Sequence, residues 1–169
     1  MACTAAKARR LMGGWRSGAP LLAGALWLLA CPPATVASAD APTEQVIGNW
    51  LTAKHDGIIQ ISQQPDGLYQ GRIVGGDEPN RLDDKNPDPA KRGATLFGLI
   101  IMRDMKYQGA GHWAGGSIYD PDSGHTYHCR LELLEPDRLR VRGFLGVSLL
   151  GRSQLWTRYR GSSMVLPKT

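Results

Sequence analysis

From Val46 onward the chain consists of short runs in which apolar and polar residues alternate, the period-2 signature of strands with one face in solvent. Residues 46–51, 57–63, 68–74, 96–102, 111–119, 125–134, 138–145 and 152–160 carry this alternation or are rich in β-branched and aromatic residues, which predicts eight strands. In "TYHCRLEL" the pattern sends Tyr127, Cys129, Leu131 and Leu133 to the core and His128, Arg130 and Glu132 outward. In "RLRVRGF" it sends Leu139 and Val141 inward and Arg138, Arg140 and Arg142 outward. "LFGLIIM", residues 96–102, is apolar at both parities and reads as a strand covered on both faces.

Three connections repeat one device: "QPDGL" at 64–68, "DPDSG" at 120–124 and "EPDRL" at 135–139. In each, Pro presets φ for a tight turn and Asp is expected to bond back to the local backbone, so neighbouring strands should be antiparallel. The polar run "GGDEPNRLDDKNPDPAKRG", from Gly75 to Gly93, is too long for such a turn. Asn86 before Pro87 reads as an N-cap with Pro at the first helical position, and Gly93 as a stop, so one long loop or a short helix at about 86–93 is expected. Connections of this length in compact domains tend to serve as functional covers or to be disordered.

The first 39 residues do not belong to this pattern. Lys7, Arg9, Arg10 and Arg16 stand there without any acid, the apolar stretch Leu21 to Ala30 follows, and "ASA" at 37–39 supplies small residues for cleavage. That is the layout of a signal peptide ending at Ala39. The apolar stretch is shorter than the roughly 20 residues a spanning helix needs, so no transmembrane helix is expected in the mature chain. A single domain of residues 40–169, periplasmic or secreted, is the expectation. "LLAC" ending at Cys31 offers an alternative, a lipoprotein lipidated at Cys31, against which Pro32 and Pro33 count.

The leader also accounts for most of the charge. Taking its four cations from the 20 Lys and Arg leaves 16 against 15 acids, a net of +1. No global basic field remains to recruit nucleic acid, and none is expected as a partner. Cys3 and Cys31 precede the mature chain, so Cys129 has no internal disulfide partner.

Catalytic and metal chemistry find little support. Asp84, Asn86 and Asp88 alternate like the first ligands of a calcium loop, but Pro89 stands where that loop needs Gly and Thr95 where it needs a bidentate Glu. His112, His125 and His128 are close in sequence, yet His125 and His128 fall on opposite faces of one strand and Cys129 faces away from His128. The same pleat separates His128 from Cys129 as base and nucleophile, and Ser117 and Ser153 lack the strand-to-helix elbow of hydrolase serines. No metal, no cofactor and no enzymatic activity are expected.

In this order, "GNW", "NPDP", "GGSIYDPDSGHTY" and "VRGFLGVSLLGRSQLWTR" resemble the exported bacterial family called domain of unknown function 2147. The resemblance covers nearly the whole mature chain. It implies a small calycin-like β-barrel in the periplasm or outside the cell, and it implies no catalytic residues. "GNW" together with "WTR" also resembles the lipocalin arrangement, in which a Trp of the first strand stacks on an Arg of the last. Physics points the same way, since an eight-stranded sheet removes its edges by closing on itself. The fold expected is all-β, a small closed antiparallel eight-stranded calycin-like barrel, with Trp50 and Arg158 as structural closure and the 75–93 segment as a flap near one mouth. A guanidinium over an indole face contributes about 0.5 to 2 kcal/mol.

A barrel of this size holds either packed side chains or one small ligand. Trp113, Tyr119, Tyr127 and Trp156 supply apolar walls with polar tips, and the small residues of "GAGHWAGG" would leave room beside them. These four are the expected ligand-binding residues, for a small hydrophobic or amphipathic molecule held in an exported cell-envelope binding module. The alternative is an envelope structural or assembly factor that meets a protein or anionic glycan through its surface. Arg130, Arg138, Arg140 and Arg142 would form that surface, with Glu132, Glu135 and Asp137 neutralising much of it.

Overall fold

The computed structural model describes residues 41–146 and 151–168; the expected signal peptide and Cys31 lie outside them. Strands β1 (Gly48–Leu51), β2 (Gly57–Gln63), β3 (Tyr69–Gly76), β4 (Ile100–Gly109), β5 (His112–Asp120), β6 (His125–Glu135), β7 (Arg138–Phe144) and β8 (Gly151–Arg158) follow one another around a closed antiparallel barrel. The seam pairs Trp50 with Arg158 and Leu51 with Thr157, and the Tyr159 N–H extends it to the Asn49 carbonyl at 2.9 Å. Closure leaves no sheet edge to recruit another chain.

One half of the barrel is packed solid. A four-residue helix, α1 (Pro42–Gln45), leads to Val46, whose carbonyl accepts the indole N–H of Trp50 at 2.8 Å. Trp50 is completely buried with Tyr69, Met105, Trp113, Leu131 and Leu139. Tyr69 meets Trp113 edge to face at 5.8 Å, and Tyr107 lies 5.1 Å from the same ring. Arg158 closes this end, with its guanidinium carbon 4.0 Å from the Trp50 ring centroid and donors on the carbonyls of Gln45, Ile47 and Pro136. Gly48 is part of the same device: its φ is +123° and a Cβ there would come within 2.9 Å of Arg158 Nη1.

The structure corrects several local expectations. The fourth strand is Ile100–Gly109, not 96–102, because residues 96–99 turn the long connection back onto β3, with Gly98 N–H on the Ile73 carbonyl. The two-sided apolarity of "LFGLIIM" is the mark of a bulged strand: register shifts against β3, and φ of +59° at Asp104, let both Ile101 and Met102 bury their side chains. The short helix is a 3-10 turn at Pro89–Lys91 capped by Asp88, whose Oδ1 accepts the Ala90 N–H at 3.0 Å. Asn86 instead accepts the Asp88 N–H, so the cap sits two residues later than expected. Of the turn aspartates, Asp66 bonds locally to the Leu68 N–H and Asp120 to the Asp122 N–H, as expected. Asp122 and Asp137 turn their carboxylates to cations, which offer stronger charge-assisted bonds.

Candidate functional site

The other half of the barrel is hollow. A cavity of about 910 Å³ opens at the end formed by the β1–β2 turn, the 77–99 connection, the β5–β6 turn, the end of β7 and the start of β8. Its inner wall is apolar, carried by Ile59, Ile73, Ile101, Ile118, Val141 and Trp156, while Lys54, Arg81, Asp120, Asp122, His125 and Arg152 stand among its polar lining. Such a cavity falls within the size range of small-molecule sites, which combine apolar walls with a few polar groups.

The long connection lies along this mouth, with Pro79, Arg81, Leu96 and Phe97 bordering the cavity. Two contacts hold it there. Asp83 is 1 % exposed, and its carboxylate takes the Tyr119 hydroxyl at 2.6 Å and the Asn86 amide at 2.6 Å. A buried charge is tolerated only when so bonded. Burial, followed by the hydrogen bond to Asp83, raises the Tyr119 hydroxyl above its ordinary pKa. The second contact is a clasp on Asp122: Lys54 reaches it from the β1–β2 turn at 2.8 Å and Arg81 from the connection at 2.7 Å, while Lys85 donates to its backbone carbonyl. The hydrogen bond from Lys54, then that from Arg81, holds the Asp122 carboxyl below the usual range.

The four expected ligand-binding aromatics are divided by this architecture. Trp156 and Tyr127 line the cavity. Tyr119 borders it too, but a register shift between Trp113 and Gly116 changes the parity of β5, so Ile118 lies opposite Tyr127 and Tyr119 turns to Asp83. Trp113 is completely buried in the packed half and is not part of the cavity wall. The "GAGHWAGG" glycines do not make the room: a Cβ on Gly116 would come within 2.1 Å of the Arg103 carbonyl. Gly116 permits close strand packing, as does Gly75, where a Cβ would come within 2.2 Å of the Met164 carbonyl, while Gly57 and Gly143 lie along the cavity.

Elsewhere, Cys129 is buried and its thiol is pushed up to about 12 by desolvation, whereas His128 lies exposed against Phe144. The outer arginine row is engaged, Arg140 with Glu132 at 2.5 Å and Arg138 with Glu135 at 3.2 Å, while Arg142 donates to Ser153. The sequence reading missed Asp83, since nothing in "RLDDKN" separates a buried acid from its solvated neighbour. It also missed Arg152 and Gln154, although strict alternation back from Trp156 points to them.

The family model for uncharacterized proteins conserved in bacteria, DUF2147, matches residues 48–158, from the first residue of β1 to the last of β8. The chain belongs to the DUF2147 family. Its fold is shared with a solved Helicobacter pylori protein described as belonging to the lipocalin family, at a TM-score of 0.62 and 18% identity over 67% of this chain and 82% of that one. No curated protein matches the chain. For this DUF2147 member, then, the likeness establishes a lipocalin-type barrel, and no helix among the described residues is long and apolar enough to cross a membrane.

Proposed function

We propose that this DUF2147 protein is a non-enzymatic binding module of the bacterial cell envelope, which holds a small hydrophobic or amphipathic molecule inside its barrel. The observation that carries this reading is the 910 Å³ cavity itself, apolar within, polar at the rim and backed by a packed, Trp50-plugged end. One open end and one closed end suit retention of a guest better than passage through the barrel. The leader with Lys7, Arg9, Arg10 and Arg16 supports delivery to the periplasm or beyond. The engaged arginine row supports the surface-partner alternative less, because Glu132 and Glu135 already answer Arg140 and Arg138.

Trp156 is a built-in reporter. Of the three Trp beyond the leader, Trp50 and Trp113 are sealed in the packed half and Trp156 faces the cavity. Titration with single-chain amphiphiles should change the emission of Trp156, and Trp156→Phe should remove that change while binding persists by calorimetry. Native mass spectrometry of protein purified from its own envelope should retain a small added mass. A stoichiometric protein partner, with no amphiphile bound below about 100 μM, roughly −5.5 kcal/mol, would transfer the function to the surface.

A further inference from the structure

Strand β8 runs along β7 without a register break, Leu139 opposite Trp156, Val141 opposite Gln154 and Gly143 opposite Arg152. Leu139 and Val141 point into the barrel, so Arg152 and Gln154 occupy the same inward row as Trp156. All three line the cavity. Gly143 offers no side chain opposite Arg152, which leaves space for the guanidinium at that level.

The other cations of the cavity lining are committed. Lys54 and Arg81 share Asp122, Lys54 also lies within the field of Asp56 and Asp120, and Arg81 lies within that of Glu78 and Asp84. Glu78 is further bound by Lys168 at 2.8 Å. The acidic side of the mouth thus carries its own counter-charges. Among the described residues, the Arg152 side chain makes no ion pair and no hydrogen bond. An arginine fork aimed into an apolar-walled space without a carboxylate partner is suited to an oxyanion, which it grips with parallel N–H bonds.

We infer that the ligand is an amphiphile with an anionic head, a carboxylate or phosphate, held by Arg152 and Gln154 at the mouth while its chain lies along Trp156, Val141, Ile118 and Ile101. This rests on the cavity reading above and adds the polarity and orientation of the guest. The chain supplies affinity by burying its methylenes, and the head decides which amphiphiles are retained.

The test compares decanoate with decan-1-ol, equal in chain and different in charge, on the full mature protein and on Arg152→Gln and Arg152→Lys. Decanoate should bind the native protein roughly fivefold to tenfold more tightly than the alcohol, an advantage that salt reduces and Arg152→Gln removes. Arg152→Lys should keep part of it. The affinity of Arg152→Gln for decan-1-ol should match the native value, which also checks that the barrel remains folded. Equal affinity of the native protein for both probes, or a decanoate advantage that survives Arg152→Gln, overturns the anionic-head inference and leaves the cavity reading intact. Binding of neither probe overturns both. Monodecyl phosphate in the same titration distinguishes the two heads, and tighter binding than decanoate assigns the site to phosphate.

Discussion

The guanidinium of Arg158 lies flat over Trp50, 4.0 Å from the ring centroid, and from that position serves carbonyls of two separate segments. Gln45 and Ile47 belong to the chain entering β1, and Pro136 to the β6–β7 turn. One side chain therefore joins the first strand, the last strand and a hairpin between them. Arg is suited to this because its planar fork stacks and donates at once, and because it stays charged even where burial lowers its pKa, as here.

Trp50→Ala should lower stability by about 3 to 5 kcal/mol, the usual range for deleting a buried aromatic. Arg158→Lys should cost less, since the charge survives while the stack and most of the carbonyl bonds do not. Denaturant midpoints with unchanged slope would measure both. A Trp50→Ala midpoint equal to the native one would show that this end is not the anchor of the fold.

Tyr119→Phe removes one of two side-chain bonds to the buried Asp83 carboxylate and should cost about 1 to 3 kcal/mol. Hydrogen exchange gives a local readout: the amides of Asp83 and Leu96, bonded to the Ala94 and Arg81 carbonyls, should exchange faster while those of β6 and β7 do not. There is also a pH signature. Because the folded pKa of Tyr119 is raised, its contribution is complete below the unfolded value of about 10 and is lost as pH rises toward the folded one. Tyr119→Phe should therefore flatten alkaline destabilisation above about pH 10.

Asp122→Asn should release the β1–β2 turn and the long connection from the β5–β6 turn. Asp122 is 42 % exposed, so the global cost should stay below about 1 kcal/mol and shrink further in salt. The larger effect should be kinetic, with faster escape of any bound amphiphile. Since the Asp122 pKa is lowered on folding, its stabilisation is present above the unfolded value of about 3.9 and disappears as pH falls through the folded one. Stopped-flow release should be faster from Asp122→Asn than from native protein at neutral pH, and the difference should shrink as the pH falls through the lowered folded value.

Cys129 should be silent toward alkylating agents in the native state. Its thiol is pushed up to about 12 by burial, and the thiolate is the reactive form. Iodoacetamide labelling should track global unfolding in denaturant, and rapid labelling of native protein would contradict the packing of β6.

Alternation along β6 and β7 determined which residues enter the barrel, because a strand cannot turn one side chain without turning its neighbours the other way. The Pro-Asp turns determined that these strands pair with their neighbours, and "GNW" with "WTR" held the closing pair in plain view. The position of the void was a different matter. Bulges in β4 and β5 reverse parity inside single strands, moving Tyr119 to the long connection, and register along the barrel consigns Trp113 to the packed half. A bulge adds one residue with little trace in composition, so no period-2 count carries through it. Tyr119 on Asp83, and Arg81 and Lys54 on Asp122, likewise come from 36 to 68 residues away in the chain. The sequence by itself determined the strands, their faces and the closure, which follow from local stereochemistry. Only the tertiary structure decided which end is hollow, what clasps its cover and which cation is left facing the void, because those depend on side chains meeting across the barrel.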